Sequence, residues 1–100
     1  MAEIAFTQYL RPSGTPHPVT IDRPPEIAGL AAILREAGCA FEIEVLRDGT
    51  ISMSIERDEF GETDVLAHSL CPNGPEVLEA VDRTITVAFA NLITAKQVHQ

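Results

Sequence analysis

The chain has 100 residues, 45% of them hydrophobic, and its 15 acidic and seven basic residues give a formal net charge of −8 at pH 7. This composition suits one globular domain over residues 1–100 and excludes wholesale disorder. No apolar run is long enough to span a membrane, and the N-terminus lacks the pattern of a signal peptide, so we expect a cytoplasmic location without membrane association. The basic residues are few and scattered, so we expect no direct nucleic-acid binding.

The first part of the chain predicts two strands and a helix. Residues 4–10 and 19–21 read as strands, and the prolines around the second one predict that it lies at a sheet edge. Asp22 is the predicted N-cap of the helix, and Gly38 is placed to be the left-handed residue after its C-terminus. The helix is indicated by apolar residues at helical spacing, which are Ile27, Leu30, Ala31, Leu34 and Ala37.

The segment 41–56 predicts a β-hairpin, because alternating apolar and polar residues flank Asp48 and Gly49. Residues that face each other across an antiparallel pair point to the same side of the sheet. A two-residue turn would set apolar side chains opposite polar ones, whereas a three-residue loop, 47–49, pairs Val45 with Ile51, Ile43 with Met53 and Phe41 with Ile55. We therefore predict the longer loop, with Gly49 in the left-handed conformation of a G1 bulge.

The remainder of the chain predicts a charged loop at 57–63, a fifth strand at 64–71 and a last helix after residue 75. The inward face of the fifth strand is ambiguous, since two sets compete for it: Leu66, His68 and Leu70, or Val65, Ala67, Ser69 and Cys71. The resulting order, ββαβββα, predicts an α+β fold with a mainly antiparallel sheet and both helices packed on one face.

The outward face of the hairpin is the first candidate site. Glu42 and Glu44 are two residues apart on one strand and point the same way, and Glu56 lies on the neighbouring strand. Paired carboxylates can bind a hard cation or transfer protons, but an exposed flat sheet supplies neither a pocket nor a perturbed pKa. We interpret these glutamates as a solvated or partner-binding surface, and we predict no catalytic residue.

Histidine and cysteine side chains are the second candidate. A Cys/His pair can bind zinc, or the cysteine can act as a nucleophile with the histidine as base. His68 and Cys71 are three residues apart, so they point to opposite faces of one strand, and His17 is remote in sequence. Because no second cluster completes a zinc site, we predict no metal and no cofactor, and we expect Cys39 and Cys71 to be free and buried.

The last helix is the third candidate, because its residues 84–95 carry no charge. Phe89 and Ile93 widen its apolar stripe beyond the width that a helix needs to cover a sheet. Such a flank indicates a partner surface, and the partner can be a second copy that binds through this helix or through a sheet edge. The alternative is a solvated helix of a monomer.

Several segments resemble small uncharacterised proteins of bacterial phages and prophages. They are Tyr9-Leu-Arg-Pro-Ser-Gly, Ile21-Asp-Arg-Pro, Ala37-Gly-Cys-Ala-Phe-Glu-Ile-Glu, Pro72-Asn-Gly-Pro and Ala80-Val-Asp-Arg. The resemblance covers most of the chain and carries no assigned activity, so it implies only an accessory role in a phage or prophage setting.

These observations together predict a non-enzymatic binding protein that acts through protein–protein contacts. Its predicted partner surfaces are the glutamate face (Glu42, Glu44 and Glu56) and the last helix (Phe89 and Ile93). Two alternatives stay open. One is a small-ligand or metal-binding protein, with or without catalysis, that uses His68, Cys71 and His17. The other is an acidic protein that mimics the charge of a nucleic acid.

Overall fold

The computed structural model describes residues 2–10 and 14–98. Its elements in chain order are β1 Ala2–Leu10, β2 Pro16–Arg23, α1 Pro25–Glu36, β3 Cys39–Val45, β4 Thr50–Glu59, β5 Glu62–Pro72 and α2 Glu76–Val98. The predicted α+β class and element order are confirmed. Within the described ranges, neither helix combines the length and the apolar character that crossing a membrane requires.

The five strands form one sheet in the order β2-β1-β3-β4-β5. Three of the four neighbouring pairs are antiparallel, and the pair β1–β3 is parallel. The parallel pair arises because the chain leaves β2, passes through α1 and returns to the opposite side of β1. The second strand lies at an edge, as its prolines predicted.

The β3–β4 hairpin has the predicted register. Val45 faces Ile51, and the two further apolar pairs follow along the ladder. The loop is closed by hydrogen bonds from the Leu46 N–H to the Thr50 carbonyl oxygen (2.9 Å) and from the Gly49 N–H to the Leu46 carbonyl oxygen (3.0 Å). Gly49 has φ +90°, the left-handed conformation that a G1 bulge requires.

Both helices pack on one face of the sheet, and the core lies between the two layers. The aromatic rings of Phe6 and Phe41 meet edge to face at 5.5 Å between centroids. Arg35 of α1 lies over the Phe41 ring and donates to the Ala5 carbonyl oxygen, so it joins α1 to the sheet. The core also contains both cysteines as free, buried thiols, which confirms that prediction.

Two local predictions at element boundaries were wrong. Asp22 is not the N-cap of α1, because β2 continues to Arg23 and pairs Asp22 with Glu3, and Pro24 takes the N-cap position. Pairing with β1 over eight residue pairs outweighs a single capping hydrogen bond.

The charged segment 57–63 is also not a loop, because β4 and β5 continue through it and are joined by Phe60 and Gly61. Both turn residues have positive φ, 55° and 81°, which is the backbone of a type I′ turn. Polar side chains are tolerated here because they bond to each other along the ribbon. The Thr63 hydroxyl donates to Asp58 at 2.7 Å.

A β-bulge resolves the ambiguity of the fifth strand. The register of β4 and β5 shifts between Ile55, which faces Ala67, and Glu56, which faces Val65. Leu66 is therefore an extra residue, and both Leu66 and Ala67 are buried. The apolar period changes phase at this point, so neither of the two competing alternations holds along the whole strand.

Candidate binding site on the open face of the sheet

The sheet surface opposite the helices, here called the open face, gathers the glutamates that the sequence predicted. Register pairs Glu42 with Ser54 and Glu44 with Ser52, and Glu56 follows two residues after Ser54 on β4. Side chains alternate between faces along a strand, so all five share the open face. The three glutamates are therefore brought together, as their spacing indicated.

These side chains line a depression of about 440 Å³, here called the acidic depression. Its lining consists of Tyr9, Glu42, Glu44, Ser52, Ser54, Glu56, Val65 and His68. Tyr9 of β1 faces Glu44 across the parallel pair, and Val65 faces Glu56 across the β4–β5 ladder. The sheet is consequently not flat here, and the carboxylates lie between an aromatic wall and an aliphatic one.

Glu42 interacts electrostatically with both other glutamates of the acidic depression. Its partial burial raises the pKa of this carboxyl, and the charge of Glu56, a hydrogen bond with Glu56 and the charge of Glu44 raise it further. Burial disfavours a charged carboxylate, and like charges disfavour it again. A positive charge placed beside Glu42 would favour its charged form.

Hydroxyl groups hold the rest of the site in place. Ser52 Oγ and His68 Nε2 are 2.8 Å apart, so one donates to the other across the β4–β5 ladder. Ser54 Oγ donates to Glu56 Oε1 at 3.4 Å. These contacts fix the walls around the carboxylates and leave the depression acidic.

The groups of the acidic depression are better suited to binding a cation than to nucleophilic catalysis. The Ser52–His68 pair has the atoms of a nucleophile and a base, but His68 is exposed on an edge strand, where water competes for both groups. No three His, Cys, Asp or Glu side chains among the described residues are arranged to hold a metal ion. The depression instead offers several carboxylate oxygens to an ammonium or guanidinium group.

The structure separates the residues of the Cys/His candidate. His68 is on the open face, whereas Cys71 is buried on the helix side of the same strand. His17 lies on β2, at the opposite edge of the sheet, which is four strand spacings or roughly 19 Å away. These three residues do not form a common site.

The α2 residues that were predicted as a partner surface lie in the other layer of the molecule. Phe89 packs partly against the core, and Ile93 is exposed. The predicted partner residues therefore occupy two separate surfaces, one on the open face and one on α2.

The sequence did not predict that Tyr9, Val65 and His68 line the acidic depression. Alternation along β1 places Tyr9 on the face opposite Ile4 and Phe6, so its direction was readable. The proximity of Tyr9 to Glu44 was not readable, because it depends on the parallel pairing of β1 with β3.

Comparisons of the chain with protein-family models, with curated proteins and with solved structures found no match.

Proposed function

We propose that this chain is a non-enzymatic binding protein that receives a lysine or arginine side chain of a protein partner in the acidic depression. The observation that carries the proposal is the convergence of Glu42, Glu44 and Glu56 on one depression, where the pKa of Glu42 is raised. A bound cation would offset the repulsion among these carboxylates and would form charge-assisted hydrogen bonds with them.

The walls of the depression suit a long basic side chain. Lysine and arginine have an aliphatic stem beneath the charged group, and such stems pack on apolar surfaces while the charge reaches polar atoms. Val65 offers the stem an aliphatic contact, and the Tyr9 ring offers a surface for an ammonium or guanidinium group.

The charge distribution around the depression supports a basic partner. Strand alternation also puts Glu3, Asp22 and Asp58 on the open face, and among the described residues it puts no lysine or arginine there. A surface of one sign attracts an oppositely charged partner and accelerates encounter at low salt. The net charge of −8 adds to this field.

The proposal is tested by calorimetric titration with short peptides that are rich in lysine and arginine, and with acetyl-lysine and citrulline versions of the same peptides. We expect binding of the charged peptides only, and we expect it to weaken as salt rises. Glu42→Gln should weaken binding roughly tenfold, the effect of losing one charge-assisted contact. Glu36→Gln, the same change at an exposed α1 residue in the other layer, is the control.

Equal binding of charged and uncharged peptides would contradict the proposal, and so would equal losses of affinity in both glutamine variants.

The biological context in which the chain meets its partner is a separate part of the proposal. The resemblance to phage and prophage proteins supports an accessory role there, in which the chain occupies a basic surface of another protein. If that surface normally binds DNA, the chain would compete with DNA, and a competition titration measures this directly.

A further inference from the structure

The two edges of the sheet differ in how they are protected. The β2 edge carries Pro16 and Pro18, which cannot donate backbone hydrogen bonds to a further strand. The β5 edge has no proline and no Asp, Glu, Lys or Arg over residues 65–71. Long uncharged edges are templates for pairing with another strand, and proteins usually block them.

The ladder determines which backbone groups of β5 point away from the sheet. The Thr50 carbonyl oxygen accepts from Leu46, so the carbonyl group of Thr50 points toward β3. Backbone groups alternate in direction along a strand, so those of Ile51 and Met53 point toward β5. Their partners Cys71 and Ser69 point back toward β4.

The groups left on the outer edge are therefore the N–H and C=O of His68 and Leu70. These four groups, here called the β5 window, are bounded on both sides by residues that cannot extend the pairing. Asn91 Nδ2 donates to the Leu66 carbonyl oxygen at 2.6 Å, and Pro72 has no N–H.

We infer that a second copy of this chain pairs with β5 in antiparallel register about a two-fold axis through Ser69. In this register His68 of each copy faces Leu70 of the other, and both residues point to the open face. The pair exchanges four backbone hydrogen bonds, which satisfy all four outward groups of each window. A shift by one residue would set open-face side chains against helix-side ones.

The helix layer also accommodates a second copy. Ser69 Oγ lies 2.8 Å from Thr84 Oγ1, and Leu66 is bonded to Asn91, so α2 runs antiparallel along β5. Seven helical residues span about 10.5 Å and three strand residues about 10 Å, so the two elements stay aligned over this stretch. Val87 is one helical turn before Asn91 on the same flank and is exposed, so it can contact its counterpart across the axis.

The charge distribution favours contact between two acidic copies at the β5 edge. Each copy has a net charge of −8, but residues 65–71 of β5 include no Asp, Glu, Lys or Arg, so the repulsion acts between more distant groups. Salt screens distant charges, so the dimer should strengthen as salt rises. Binding of a basic peptide in the acidic depression should weaken under the same conditions, which separates the two proposals.

Sedimentation equilibrium at low and at high salt tests the inference. We expect a mass that approaches twice the 10.8 kDa of the chain, and more completely at high salt. Leu70→Pro removes an outward N–H and should give a monomer, since proline is tolerated at a strand edge. Val87→Asp should do the same by placing like charges across the axis.

Leu78→Asp is the matched control, because Leu78 and Val87 are both exposed on α2, at 46% and 43%, and only Val87 lies on the flank beside β5. It should keep the dimer. Hydrogen exchange of the wild-type protein gives a readout that needs no variant, and the amides of His68 and Leu70 should be protected only at dimer-forming concentrations. A monomeric wild type at every concentration, unprotected amides in a dimer, or dissociation by both aspartate variants would overturn the inference.

Discussion

The substitution Glu42→Gln should stabilise the fold while it weakens the binding of a basic partner. Glu56 lies diagonally across the β3–β4 ladder from Glu42 and hydrogen-bonds with it, so their charges are about 4 Å apart. At that distance two like charges repel by about 1 kcal/mol in bulk water and by about 4 kcal/mol at an effective dielectric constant of 20. Because Glu42 is only partly buried, the lower part of this range applies, and we expect a gain of about 1 kcal/mol at pH 7.

The pH dependence of stability provides a second readout of the same substitution. The pKa of Glu42 is raised in the folded protein, so the folded state binds more protons than the unfolded state between the ordinary glutamate pKa and the raised one. Stability linked to this group is therefore fully present below the ordinary pKa and is lost as pH rises through the raised pKa. Glu42→Gln should remove this part of the pH dependence.

Urea unfolding of the wild type, Glu42→Gln and the control Glu36→Gln between pH 4 and pH 8 measures both effects. The control should change the unfolding free energy by less than about 0.5 kcal/mol. The electrostatic reasoning would be refuted if Glu42→Gln lowered the unfolding free energy at pH 7, or if it left the pH profile of the wild type unchanged.

Three further outcomes follow from the fold. Gly49→Ala should lower the unfolding free energy by about 1–2 kcal/mol, because φ is +90° at this position. Gly29→Ala lies in an α-helix with open space around it, so it should be neutral or stabilising by up to about 1 kcal/mol. Urea titrations measure both changes. Ile55→Ala should cost about 2–5 kcal/mol by leaving a cavity in the core, and Val65→Ala, on the exposed side of the same ladder, less than about 1 kcal/mol. The buried thiol of Cys39, whose pKa is raised mainly by burial, should react with a thiol reagent only at the rate of unfolding, and rapid reaction in the folded state would contradict its placement.

The parts of the fold that the sequence predicted correctly are those fixed by neighbouring residues. The β3–β4 hairpin is one of them, because only one register puts the alternating apolar residues on both sides of Gly49 on the same face of the sheet. The left-handed Gly38 after α1 is another, with φ +88°. The bulge at Leu66 escaped prediction, since it changes the phase of alternation within one strand.

The same distinction between local and long-range structure applies to the candidate site. Glu42, Glu44 and Glu56 were predicted to share a face because they belong to one hairpin. The wall formed by Tyr9 depends on the pairing of β1 with β3, which are separated along the chain by β2 and α1. Long-range pairing of this kind leaves no mark in the local pattern, so the depression itself could not be foreseen.

The central claim is that the acidic depression binds a basic side chain, and amide chemical-shift mapping with a lysine-rich peptide tests it most directly. We predict that the largest shifts fall on the residues around Glu42, Glu44 and Tyr9, and that they vanish when the lysines are acetylated. Shifts confined to α2, or shifts that persist with the acetylated peptide, would contradict the claim.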